Sequence, residues 1–136
     1  MAEGLFRKHI GAKAKEYVGT SAGTGAGDGF PPSEPTITAM RHEGVDVSEH
    51  QSQRLTPEIV KDAHMILVME KMHRDAVLQM DPKAKSKTHL LTEFATKDKS
   101  RFSDIEIPDP IRMSDSFYKN VLIAIRDCIV NLVKTL

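Results

Sequence analysis

At 136 residues the chain has the length of one domain and buries enough surface to form a core without disulfide or metal staples. Lys+Arg and Asp+Glu are both 19, so the charge balance argues against nucleic acid or an anionic membrane as partner. No apolar run reaches the 18 or more residues of a membrane span, and the single cysteine, Cys128, excludes an internal disulfide.

In chain order, Met1 to Ala14 reads as a helix with Ala2, Leu5, Phe6 and Ile10 as its inward stripe. Met1-Ala2-Glu3-Gly4 lacks a basic start followed by an apolar core, so no secretion signal is expected, and a reducing cytoplasm is the natural location. Tyr17 to Ala22 is strand-like, and a glycine-rich turn runs from Gly23 to Gly29. Ser33 caps a helix that carries Ile37 and Met40 and ends at Gly44. Thr56-Pro57-Glu58 opens a short helix, with Thr56 as N-cap and Pro57 at the first helical position.

Met65-Ile66-Leu67-Val68-Met69 is the organising stretch. Five large apolar residues without polar alternation fit a strand buried on both faces. A helix from Glu70 to Met80 follows, stopped by Asp81-Pro82. Helix, strand and helix in succession are the repeat of a parallel α/β sheet. Thr88 to Leu91 is a further strand, and a lysine-bearing loop passes through Lys97, Lys99 and Arg101 to Pro108-Asp109-Pro110. The last helix is the plainest: Phe117, Val121, Ile125, Cys128, Leu132 and Leu136 keep helical spacing.

Candidate chemistry is sparse when each feature is taken singly. The glycine-rich turn has no Gly-Lys-Ser/Thr ending and fits no G-x-G-x-x-G, so it reads as a tight connection and not a nucleotide loop. The six histidines show no paired spacing and one thiol builds no cluster, so no metal is expected. Cys128 lies on the apolar face of its helix and reads as inert filling. The lysines from Lys83 to Arg101 form a solvated loop or a rim for an anionic substrate. Asp109, stiffened by proline on both sides, is either a turn residue or a carboxyl held for general acid work.

Together the pieces are more specific. Met1-Ala2-Glu3-Gly4-Leu5-Phe6-Arg7, Ser21-Ala22-Gly23-Thr24-Gly25 and Asp28-Gly29-Phe30-Pro31-Pro32 are followed by His50 and Arg54-Leu55-Thr56-Pro57. Then come Ile66-Leu67-Val68-Met69, Leu90-Leu91-Thr92-Glu93-Phe94 and Ile107-Pro108-Asp109-Pro110. In this order and spacing the whole chain resembles the low-molecular-weight protein tyrosine phosphatase family. The resemblance implies a four-stranded parallel sheet, strand order 2-1-3-4, with helices on both faces. It also implies hydrolysis of a phosphorylated protein or small phosphomonoester through a cysteinyl-phosphate, with no metal or other cofactor. By the same resemblance Asp109 corresponds to the general acid, His50 and Ser21 to residues that support the reactive loop, and Ile111 and Arg112 to the pocket wall. Many members of the family place aromatic residues at those wall positions, so phosphoarginine stands beside phosphotyrosine as a substrate.

One departure stands out. In the family the C-x5-R-S-P loop comes immediately before the Met-Ala-Glu-Gly segment, and here Met1 is that methionine. The expectation is a single domain over residues 1–136 that lacks the central first strand and the nucleophile, and is therefore inactive as it stands. The alternative is a non-catalytic relative that binds a phosphorylated partner or a protein surface. An empty central slot would expose two strand edges, each unsatisfied backbone group costing about 1–3 kcal/mol. That slot calls for an upstream strand, closure of the neighbours, or an oligomer formed through the open sheet.

Overall fold

A computed structural model describes residues 1–95 and 106–136. Helix α1 spans Ala2–His9, α2 Glu34–His42, α3 Pro57–Asp62, α4 Lys71–Met80 and α5 Asp115–Thr135; the strands are β1, Ile66–Val68, and β2, Thr88–Leu90. Short 3₁₀ turns occupy Gly11–Lys15, Pro82–Lys87 and Leu91–Phe94. The two strands run parallel, with Ile66 beside Thr88, Leu67 beside His89 and Val68 beside Leu90.

Alternation along β1 divides the interior in two. Leu67 and Met69 face a large cluster built on Leu5, Met40, Leu91, Ile107 and the inner stripe of α5. Ile66 and Val68 face a smaller cluster with Val60 of α3, Val77 of α4, Ala84 and Leu90. Helices α1 and α5 thus cover one face of the sheet and α3 and α4 the other, the α/β arrangement expected.

Local chemistry sets the helix boundaries. Thr56 Oγ1 accepts from Ile59 N at 3.3 Å, Ser33 Oγ from Thr36 N at 3.4 Å, and Ser114 Oγ from Phe117 N at 3.2 Å. Gly44, at φ 73°, ends α2 by letting Val45 N donate back to Met40 O at 3.0 Å. Lys87 Nζ donates to Ala63 O at 2.6 Å, tying the end of α3 to the start of β2.

Two expectations are corrected. The first helix ends at His9 instead of Ala14, because Gly11 adopts φ 56° and the chain continues as a 3₁₀ turn. Tyr17 to Ala22 forms no ladder; the nearest pairing is a single parallel bridge between Gly23 and Arg54. An apolar, β-prone run becomes a strand only when another strand lies alongside to receive its hydrogen bonds, and here none does. Among the described residues the sheet therefore has two strands where the resemblance implied four. Lys97, Lys99 and Arg101 lie outside the described residues. No helix among the described residues is long and apolar enough to cross a membrane.

Candidate active site

The carboxyl end of β1 fixes the Pro-Asp-Pro segment. Ile107, fully buried, donates its N–H to Met69 O at 2.8 Å, while Glu106 Oε1 accepts from Lys71 N at 2.8 Å. These two bonds hold the chain one step beyond the strand end, where ligand crevices of open α/β sheets lie. Asp109 follows, exposed, with Oδ1 accepting from Ile111 N at 3.0 Å. Met113 N closes the turn onto Pro110 O at 2.9 Å, and Arg112 inside it sits at φ 62°. A non-glycine residue in that region costs roughly 1–2 kcal/mol, so the turn is held by its surroundings.

Asp109 and Ile111 line a cavity of about 360 Å³ with Met1, Met69, Glu70 and His73. His73 Nδ1 accepts from Glu70 N at 3.2 Å, so in the neutral ring the proton lies on Nε2. Arg112 lies beyond the lining of this cavity.

Ser21 and His50 belong to an adjoining cavity of about 620 Å³, which shares Met1 and Thr36 with the first. They meet at Glu3. Ser21 Oγ donates to Glu3 Oε2 at 2.5 Å, and His50 Nδ1 stands 3.8 Å from the same oxygen. Arg7 Nη2 donates to Glu3 Oε1 at 2.8 Å across one turn of α1. Glu3 is the residue that sequence reasoning missed. Its i,i+4 spacing to Arg7 was the one visible signal, and that spacing reads as an ordinary helix pair. On the far wall Asp46 Oδ1 accepts from Ser48 Oγ and Ser48 N, and these bonds hold its carboxyl below the usual range.

The glycine-rich turn is a connection, as expected. Gly23 N donates to Gln53 O at 2.9 Å and Gly29 N to Ser52 O at 2.8 Å, so these amides are already engaged. Cys128 is fully buried, and burial, reinforced by the charge of Asp127, pushes its thiol up to about 11. A thiol so protonated at neutral pH is no nucleophile. Among the described residues no three His, Cys, Asp or Glu side chains converge on a metal position.

In this α/β fold a carboxyl on a proline-flanked loop beyond the strand end lies in one cavity, and a Glu-Ser-His cluster lines the adjoining one. The chain belongs to the low molecular weight phosphotyrosine protein phosphatase family, whose family model matches residues 1–136. It is 30% identical over 114 residues to the low molecular weight protein-tyrosine-phosphatase Ptp of Acinetobacter johnsonii, covering 84% of this chain and 75% of that protein. Its fold matches Vibrio vulnificus Wzb in complex with benzylphosphonate at TM-score 0.83 and 29% identity, over 99% of this chain and 88% of the other. It also matches the YwlE arginine phosphatase of Geobacillus stearothermophilus at TM-score 0.80 and 25% identity, over 98% and 81%.

Proposed function

We propose that this chain carries the acid and the framework for phosphomonoester hydrolysis, and that the reacting sulfur must come from a Cys-x5-Arg-Ser-Pro segment its sequence does not contain. Asp109 carries the reading: its carboxyl sits on a proline-stiffened turn that lines a cavity beyond the strand end. In the complete reaction a cysteine thiolate attacks phosphorus and the P–O bond to the leaving group breaks. Asp109 donates its proton to that departing oxygen, then draws a proton from the water that hydrolyses the cysteinyl-phosphate. Glu3, Ser21 and His50 hold the ground beneath the loop that would deliver the thiolate.

The substrate class is a phosphorylated protein or a small phosphomonoester in a reducing compartment, the cytoplasm. Phosphotyrosine is the first choice, on the family and on the aryl-like ligand of the Vibrio structure. Phosphoarginine is the second, because Ile111 and Arg112 offer no aromatic wall. The buried, protonated state of Cys128 favours a further reading, in which the chain as it stands binds without turning over.

Hydrolysis of p-nitrophenyl phosphate by the 136-residue chain, and by the product extended through its own upstream reading frame, separates these readings. The extended product should be active and the shorter one inert. Asp109→Asn in the extended product should lower kcat by about 10²–10³, with a smaller loss for a leaving group of lower pKa. An active 136-residue chain that loses activity on Cys128→Ser overturns the assignment. An upstream stop codon, with no turnover by the 136-residue chain, selects the binding protein.

A further inference from the structure

Left-handed backbone goes to glycine almost throughout this chain. Gly11, Gly29 and Gly44 take φ of 56°, 83° and 73°, and among the described residues the single other positive φ is that of Arg112, at 62°. Glycine enters this region freely, whereas the Cβ of an arginine resists it. A side chain kept where glycine fits more easily points to a use for that side chain. The turn is fixed around Arg112: Ile111 N donates to Asp109 Oδ1 at 3.0 Å and Met113 N to Pro110 O at 2.9 Å. Arg112 is exposed, and its guanidinium has no hydrogen bond or ion pair among the described residues. Its neighbours Ile111 and Met113 are 59% and 50% exposed. Asp109 and Ile111 line the cavity, and Arg112 stands just outside that lining.

We propose that Arg112 reads the residue beside the phosphorylated one, receiving the carboxylate of an Asp or Glu that flanks phosphotyrosine in a protein substrate. The inference rests on the reading of Asp109 as general acid and adds a sequence preference to it. With the phosphorylated side chain in the cavity, its peptide neighbours follow at about 3.8 Å per Cα step and lie on the rim, where Arg112 stands. A guanidinium offers a carboxylate two parallel N–H donors, a match that a neutral flank does not make and a lysine flank opposes by charge. Ile111 and Met113 on either side thin the water around such a pair and so strengthen it.

Phosphotyrosine peptides with Asp, Ala or Lys on both sides of the phosphorylated residue test this through kcat/KM of the extended product, with p-nitrophenyl phosphate as the substrate that has no flanks. The expected order is Asp above Ala above Lys, about 3- to 5-fold per step, carried by KM and lost near about 1 M salt. Arg112→Glu, which keeps the backbone demand and reverses the charge, should invert the order, and Arg112→Gly should level it. A product that hydrolyses p-nitrophenyl phosphate but treats the peptides alike overturns this inference and leaves the phosphatase reading standing. An order that survives Arg112→Glu does the same. A product inert on p-nitrophenyl phosphate removes both. Where the upstream frame is closed, the same order is measured as Kd for the 136-residue chain, and equal or absent binding overturns the inference.

Discussion

Two ionisable residues show how position decides chemistry. Cys128, by type the strongest nucleophile in the chain, is silenced by the α5 packing that buries it, with its thiol pushed from 9.0 up to about 11. Thiol-selective labelling at pH 7.5 should therefore modify the unfolded chain and leave the folded one untouched. The same shift couples to stability. Between pH 9.0 and about 11 the unfolded chain releases the proton that the folded chain keeps, so stability present below pH 9.0 falls as pH rises through that window. Denaturant midpoints measured across it should decline for the native chain, and Cys128→Ala should flatten the decline at some cost in packing. Glu3 is the opposite case. Its residue type is unremarkable, but its carboxylate receives Ser21 and Arg7 and faces His50, so it joins α1 to two segments far along the chain.

Helix α5 is the longest element, and it is placed by its ends as much as by its stripe. Ser114 satisfies the N–H of Phe117, and Tyr118, Val121, Ile125, Cys128 and Leu132 then fall on the buried side. Ser114→Ala should cost about 1 kcal/mol, read as a drop of a few degrees in thermal midpoint, with no change in helix content at low temperature. Elsewhere short-range punctuation set the boundaries. Gly11 and Gly44 both take φ values that side chains resist, and each ends a helix. The strand expected at Tyr17 to Ala22 failed for a non-local reason. A strand is completed by its neighbour, and no window of a dozen residues contains that neighbour.

At the largest scale, a parallel sheet of two strands among the described residues separates two apolar clusters. This division predicts independence. Leu132→Ala in the larger cluster should cost about 2–5 kcal/mol, and Val60→Ala in the smaller one somewhat less, each fully buried at present. The double variant should lose the sum to within about 0.5 kcal/mol, because among the described residues the two clusters have no side chain in common. A large positive coupling in the double-mutant cycle would instead mean that β1 transmits strain between its faces. The site lies where the division ends: Ile107 continues from the tip of β1, and Asp109 stands at the mouth of the cavity that opens there.

The amino-acid sequence alone determined the family, the presence of the helices and of both strands, the Ser33 and Thr56 caps and the candidacy of Asp109, His50 and Ser21. These rest on periodicity, capping residues and ordered motifs, all written within short stretches of chain. Only the tertiary structure decided that Glu3 gathers Ser21 and His50 and that Asp109 lines a neighbouring cavity. Contacts between residues 18 and 47 positions apart follow from how elements are stacked in space. No local pattern encodes that stacking.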